Sequence, residues 1–163
     1  MRKLMSKLMI ALALVVLAMT SAARADEVAV AKLPKLVTKI LEVKYPAAEL
    51  VKAFKDVEDD ETLFTVVLKY KKFDYEVTIT VEGEILETAK ILTAKDLPEA
   101  VAKALQQKYR NAKVKEAAEV REPGQQVIRT FHVEIDTAQN TTLQVILDVK
   151  GKILNESSKQ GQK

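Results

Sequence analysis

One strand-turn-strand pattern occurs twice in the chain and sets what it can fold into. Tyr75, Val77, Ile79 and Val81 alternate with Glu76, Thr78, Thr80 and Glu82; Gly83 follows, and Ile85-Leu86 resumes the apolar run. Period-two alternation is the pattern of a half-buried strand. A glycine at its end supplies the positive φ of a tight hairpin turn or bulge. Leu143, Val145, Leu147, Val149, Gly151 and Ile153-Leu154 repeat the pattern more weakly.

The flanking segments repeat with it. Leu33-Pro34 opens a helix whose apolar stripe is Leu33, Val37, Ile40, Leu41 and Tyr45, and Pro46 stops it. Asp96-Leu97-Pro98 opens a second helix, with Asp96 as its cap. Leu97, Val101, Ala104, Leu105 and Tyr109 each sit 64 positions after their counterparts. Glu49 to Val57 and Val114 to Val120 read as strands of imperfect alternation. Leu63 to Tyr70 and Val127 to Asp136 alternate cleanly, with Phe64, Val66, Leu68, Phe131, Val133 and Ile135 inward. Asp26 to Lys32 reads as a mobile lead, and Asn155 to Lys163 as a frayed polar tail.

These elements predict an α+β fold: two tandem α-β-β-β-β repeats, 26–95 and 96–157, ahead of a polar tail at 158–163. Both helices are expected on one face of an antiparallel sheet of about eight strands, with the other face open to water. Two packed repeats of this size share a core more easily than each builds its own.

Residues 1–25 read as an export signal. Arg2, Lys3 and Lys7 precede an uncharged apolar run from Leu8 to Met19, and Ala23-Arg24-Ala25 is an A-x-A cleavage pattern. The apolar run falls short of the about 20 residues that span a bilayer. The whole chain has 26 basic and 23 acidic residues; losing Arg2, Lys3, Lys7 and Arg24 leaves 22 against 23. The remaining charges are interspersed, so there is no basic face for nucleic acid, and after cleavage no membrane segment. The expected location is exported, periplasmic or secreted. The absence of cysteine means that the core alone must hold the fold there.

No catalytic set is present. His132 is the one histidine, which excludes most nucleophile–base schemes, and no cofactor loop occurs. Glu58-Asp59-Asp60-Glu61 lacks the spacing of a calcium loop and reads as a turn. His132, Glu134 and Asp136 fall on one strand face, so a small metal- or ligand-binding envelope protein centred on His132 is the alternative reading. The favoured reading is a non-enzymatic binding module whose partner, an envelope protein or peptide, docks on the outer sheet face. By parity that face carries Thr65, Val67, Lys69, Glu76, Thr78, Thr80, Glu82, Thr130, His132, Glu134, Thr142, Gln144, Ile146 and Asp148.

The Leu-Pro helix starts, the Tyr45-Pro46 helix end and the Tyr75-x-Val77-x-Ile79-x-x-x-Gly83 hairpin together resemble the PepSY-like family, in the branch likened to the beta-lactamase inhibitor protein (BLIP). The resemblance covers Leu33 to Leu92 and Leu97 to Glu156. Arg110 stands where the second copy would have proline, and Leu143 where it would have tyrosine. The resemblance implies a small exported tandem module, with an open sheet face like the one by which the inhibitor grips an enzyme.

Overall fold

The computed structural model describes residues 26–58, 60–123 and 128–158. The export signal read at 1–25 lies outside them, as do Asp59, residues 124–127 of the turn after Pro123, and 159–163 of the tail. The strands are β1 Asp26–Val28, β2 Glu49–Glu58, β3 Glu61–Tyr70, β4 Phe73–Thr80, β5 Ile85–Leu92, β6 Lys113–Glu122, β7 Ile128–Asp136, β8 Thr142–Asp148 and β9 Ile153–Ser158. Two ten-residue helices, α1 Lys35–Lys44 and α2 Glu99–Lys108, accompany them. The strands are ordered in the sheet as in the chain. The described residues divide into two compact units, one up to Ala89 and one from Lys90, the division falling within β5.

This corrects the expected fold class. The fold is mainly β, nine antiparallel strands with two short helices, and not an α+β arrangement of two repeats with helices covering an eight-stranded sheet. A ten-residue helix is about 15 Å long, whereas a ten-residue strand runs about 33 Å, so a helix covers only part of the strands it packs on. The ninth strand comes from Asp26–Val28, read as a mobile lead, which pairs with Ala53–Lys55 of β2. The tail is corrected likewise: Asn155–Ser158 extend β9 and pair with β8.

In the first unit, Pro34 precedes α1 with φ −55° and ψ 140°, and the Tyr45 N–H closes it on Leu41 O at 2.7 Å. Leu33, Val37, Leu41 and Tyr45 pack on Ala53, Phe64, Val66, Leu68, Val77 and Ile79 in one core cluster. Each such aliphatic side chain contributes about 1.5–3 kcal/mol on burial. The strand faces are in register: Ala53 opposes Val66, and Val66 opposes Val77. β2 carries a bulge between Leu50 and Lys52, which accounts for its imperfect alternation.

The second unit has the same local construction. Pro98 precedes α2, and the Tyr109 N–H closes it on Leu105 O at 2.8 Å. Leu97, Val101, Leu105, Ala117, Phe131, Val133, Ile135, Val145 and Leu147 are buried. A bulge interrupts β6 between Val114 and Glu116. Asp96 does not cap α2: its carboxylate accepts from Thr93 N and Oγ1 and closes the 3-10 turn before it. The alternation stops earlier than the sequence pattern does. Gly83 N bonds Thr80 O and Gly151 N bonds Asp148 O, so Val81 and Val149 fall in the turns and are exposed.

Candidate binding face

Strand parity puts the predicted face where the sequence placed it, on the side of the strands away from the core residues. In the first unit Thr65 opposes Thr78, Val67 opposes Glu76, Leu63 opposes Thr80 and Lys69 opposes Asp74. Across the other edge of β3, Thr65 opposes Phe54 and Val67 opposes Lys52. In the second unit Thr130 opposes Asp148, His132 opposes Ile146, Glu134 opposes Gln144 and Asp136 opposes Thr142. Glu82 is the exception, being in the β4–β5 turn.

The face is not left to solvent as expected. Glu76, Thr78, Thr80, Thr130, His132, Glu134 and Ile146 are all buried, while Thr65, Val67, Thr142, Gln144 and Asp148 are half-buried and Lys69 is exposed. Across the adjacent strands Ala118 and Ile146 stand opposite His132, which is 3% exposed. In each unit, buried polar groups thus stand beside half-exposed ones.

Local bonds hold these groups. Thr65 Oγ1 and Thr78 Oγ1 meet at 3.5 Å across β3 and β4. Thr130 Oγ1 and His132 Nε2 lie 3.1 Å apart, whereas His132 Nδ1 has no hydrogen-bond partner among the described residues. Burial pushes the His132 pKa down to about 4, so the ring is neutral at pH 7. Thr142 Oγ1 donates to Asp136 Oδ1 at 2.6 Å. Lys115, the extra residue at the β6 bulge, reaches Glu134 Oε1 at 3.0 Å and Asp136 Oδ1 at 3.9 Å. Its own pKa is raised, chiefly by the hydrogen bond to Glu134. Burial pushes the Glu122 carboxyl up.

Lys115 was not among the predicted residues. A bulge re-aims a side chain, and neither glycine nor proline marks this one; the broken alternation of Val114 to Val120 is its only trace in the sequence. His132, Glu134 and Asp136 share a face but do not converge. Among the described residues no three His, Asp or Glu side chains gather as a metal site requires, so the geometry gives the metal reading no support. On the other side of the strands, Glu119 is 5% exposed and accepts from Arg121 Nε at 2.6 Å and Arg129 Nη2 at 3.0 Å. Burial alone would raise its pKa; the two guanidiniums outweigh that and lower it. This pair closes the β6–β7 end of the core.

Among solved structures, the chain is similar to a BLIP-like protein from Bacteroides fragilis NCTC 9343, with a TM-score of 0.63 and 18% identity over 78% of this chain and 87% of that one. It is similar to a protein assigned to the periplasm of Bacteroides eggerthii DSM 20697, with a TM-score of 0.64 and 19% identity over 77% and 88%. A DUF2874 family protein from Bacteroides uniformis ATCC 8492 gives a TM-score of 0.64 and 21% identity over 77% and 88%. At these identities the likeness establishes the fold, which is BLIP-like. No protein-family model and no curated protein matches the chain. No helix among the described residues is long and apolar enough to cross a membrane.

Proposed function

We propose that the chain is an exported, non-enzymatic module that holds a protein or peptide segment against the strand face described above. The observation that carries this reading is the face within each unit: polar groups fixed on interior strands, with half-buried Thr65 and Val67 beside them in the first and Thr142 and Gln144 in the second. Groups already immobilised lose little entropy when a partner docks. Export is supported by the A-x-A signal pattern and by the fold it shares with a protein assigned to the periplasm. The PepSY-like assignment rests on the order of its motifs and belongs with this proposal.

The second unit favours a basic partner. Glu116, Glu122, Glu134, Asp136 and Asp148 project on its face against Lys113 and Lys115. Such a surplus speeds encounter with cationic segments and makes binding fall with salt. The test is capture from envelope extract by the immobilised protein. One partner is expected, weakened by salt and lost in Gln144→Arg, with the melting temperature unchanged. Undiminished capture by the folded variant rejects the face of the second unit.

A further inference from the structure

The N-terminal half of each helix packs beside a hairpin turn of its own unit. A Cβ on Gly83 would meet Leu36 and Ile40 of α1, and one on Gly151 would meet Ala100 and Ala104 of α2. The charges around these two junctions are reversed. Lys35 opens α1 where Glu99, 64 positions on, opens α2. Glu82 and Glu84 flank Gly83 where Lys150 and Lys152, 68 positions on, flank Gly151. The first junction is basic on its helix and acidic on its turn, and the second is the opposite. All six of these charged side chains are exposed. Glu99 pairs with Lys103 on its own helix, and among the described residues the other five make no ion pair.

Local stability does not account for the reversal. A lysine in the first turn of a helix opposes the helix dipole, and a glutamate there complements it. α1 has no acid in its first turn, whereas α2 has Glu99. Lys35 works against the helix it opens. The apolar surfaces of the junctions differ in height as well. Leu36 is 46% exposed and Val81, in the turn, 38%. In the second unit the short Ala100 is exposed where the first has Leu36, and Val149 in the turn is 45% exposed. One junction has a projecting side chain where the other is low.

We propose that the protein binds a second copy of itself, the α1 junction of one copy docking on the α2 junction of the other. Placed helix against helix and turn against turn, unlike junctions meet with opposite charges and like junctions with equal ones. Lys35 would face Glu99 of the second copy, Glu82 and Glu84 would face its Lys150 and Lys152, and Leu36 would seat over its Ala100. The charges select the pairing and speed the encounter, while the aliphatic side chains supply its dry centre. The ion pair of Glu99 with Lys103 is exposed on both sides, and such a pair contributes too little to hold Glu99 back. The contact is small, so the association is weak and falls with salt. It uses the helix side of each unit, so it stands or falls independently of the strand face proposed above.

The test is sedimentation equilibrium of the purified protein over a concentration series. Reversible association is expected, with a dissociation constant below about 1 mM at low salt and at least about threefold weaker in about 0.5 M salt. Two triple variants isolate the pairing. Lys35→Glu with Glu82→Lys and Glu84→Lys gives both junctions the charges of the second. Glu99→Lys with Lys150→Glu and Lys152→Glu gives both the charges of the first. Each variant alone is expected to stay monomeric, and the two mixed in equal amounts are expected to associate as the natural protein does. All six positions are exposed, so both variants should keep the natural melting temperature. Four results overturn the proposal: a natural protein that is monomeric up to about 1 mM, association that salt leaves unchanged, undiminished self-association of either variant, or a mixture of the folded variants that stays monomeric.

Discussion

The Tyr109 hydroxyl donates to Glu156 Oε2 at 2.6 Å. The Lys108 ammonium reaches the same oxygen, holding the Glu156 carboxyl below the usual carboxylate range, with Tyr109 adding to the effect. At the equivalent place, Tyr45 donates to Thr88 Oγ1 at 3.5 Å, the limit of a hydrogen bond. Tyr109→Phe should therefore cost about 1 kcal/mol and Tyr45→Phe less than about 0.5, as read by urea unfolding. The Glu156 contribution is present above the ordinary carboxylate pKa and is lost as pH falls through the depressed one. The stability difference between the natural protein and Glu156→Gln should shrink accordingly in acid.

Gly83 and Gly151 turn the same corner with φ of +84° and +81° but tolerate a methyl group differently. A Cβ on Gly83 meets Ile40 Cγ1 at 3.1 Å and Leu36 Cγ at 3.3 Å, side chains that can shift. On Gly151 it meets Ala100 O at 2.4 Å and Ala100 C at 2.8 Å, which are helix backbone. Gly83→Ala should cost about 1 kcal/mol, and Gly151→Ala about 3 kcal/mol or more. Chemical unfolding of the two variants checks the ranking.

Ala47 has φ +62° directly beyond the α1 end, and Asn111 has φ +63° beyond the α2 end. An L-residue pays about 1 to 2 kcal/mol in this region unless it is glycine or, in part, asparagine. Ala47→Gly should raise stability by about 1 kcal/mol, and Asn111→Ala should lower it by about 0.5 to 1 kcal/mol. Thermal melts of both variants test the sign.

His132 makes stability depend on pH. In the unfolded chain it titrates near 6.5; in the fold, burial holds it at about 4. Between those values the unfolded chain takes a proton that the folded one refuses, so stability present above pH 6.5 drains away as pH falls toward 4. The loss approaches about 3 kcal/mol. His132→Gln should flatten the wild-type curve across that window, as measured by urea unfolding at a series of pH values.

What the chain displays openly is its period-two pattern. Val77, Ile79, Val145 and Leu147 read as core residues and are fully buried, because alternation fixes the side of a strand directly. Parity does not say how much a side chain is covered, so Thr78, Thr130 and Glu134, which alternate with the core residues, are expected in water and are instead buried. Asp26–Val28 joins the sheet through pairing with β2, a tertiary event with no local signature in three charged and apolar residues. The helices read correctly as amphipathic, yet periodicity cannot show that ten residues cover too little of the strands to make a second layer.

The β8–β9 turn sits on the backbone of α2 at Gly151 with no side chain as a cushion, because Ala100 and Ala104 stand where the first unit has Leu36 and Ile40. Helix and hairpin therefore move as one lever. A displacement of the C-terminal turn of α2 near Tyr109 should reach Gly151, about two and a half helical turns away.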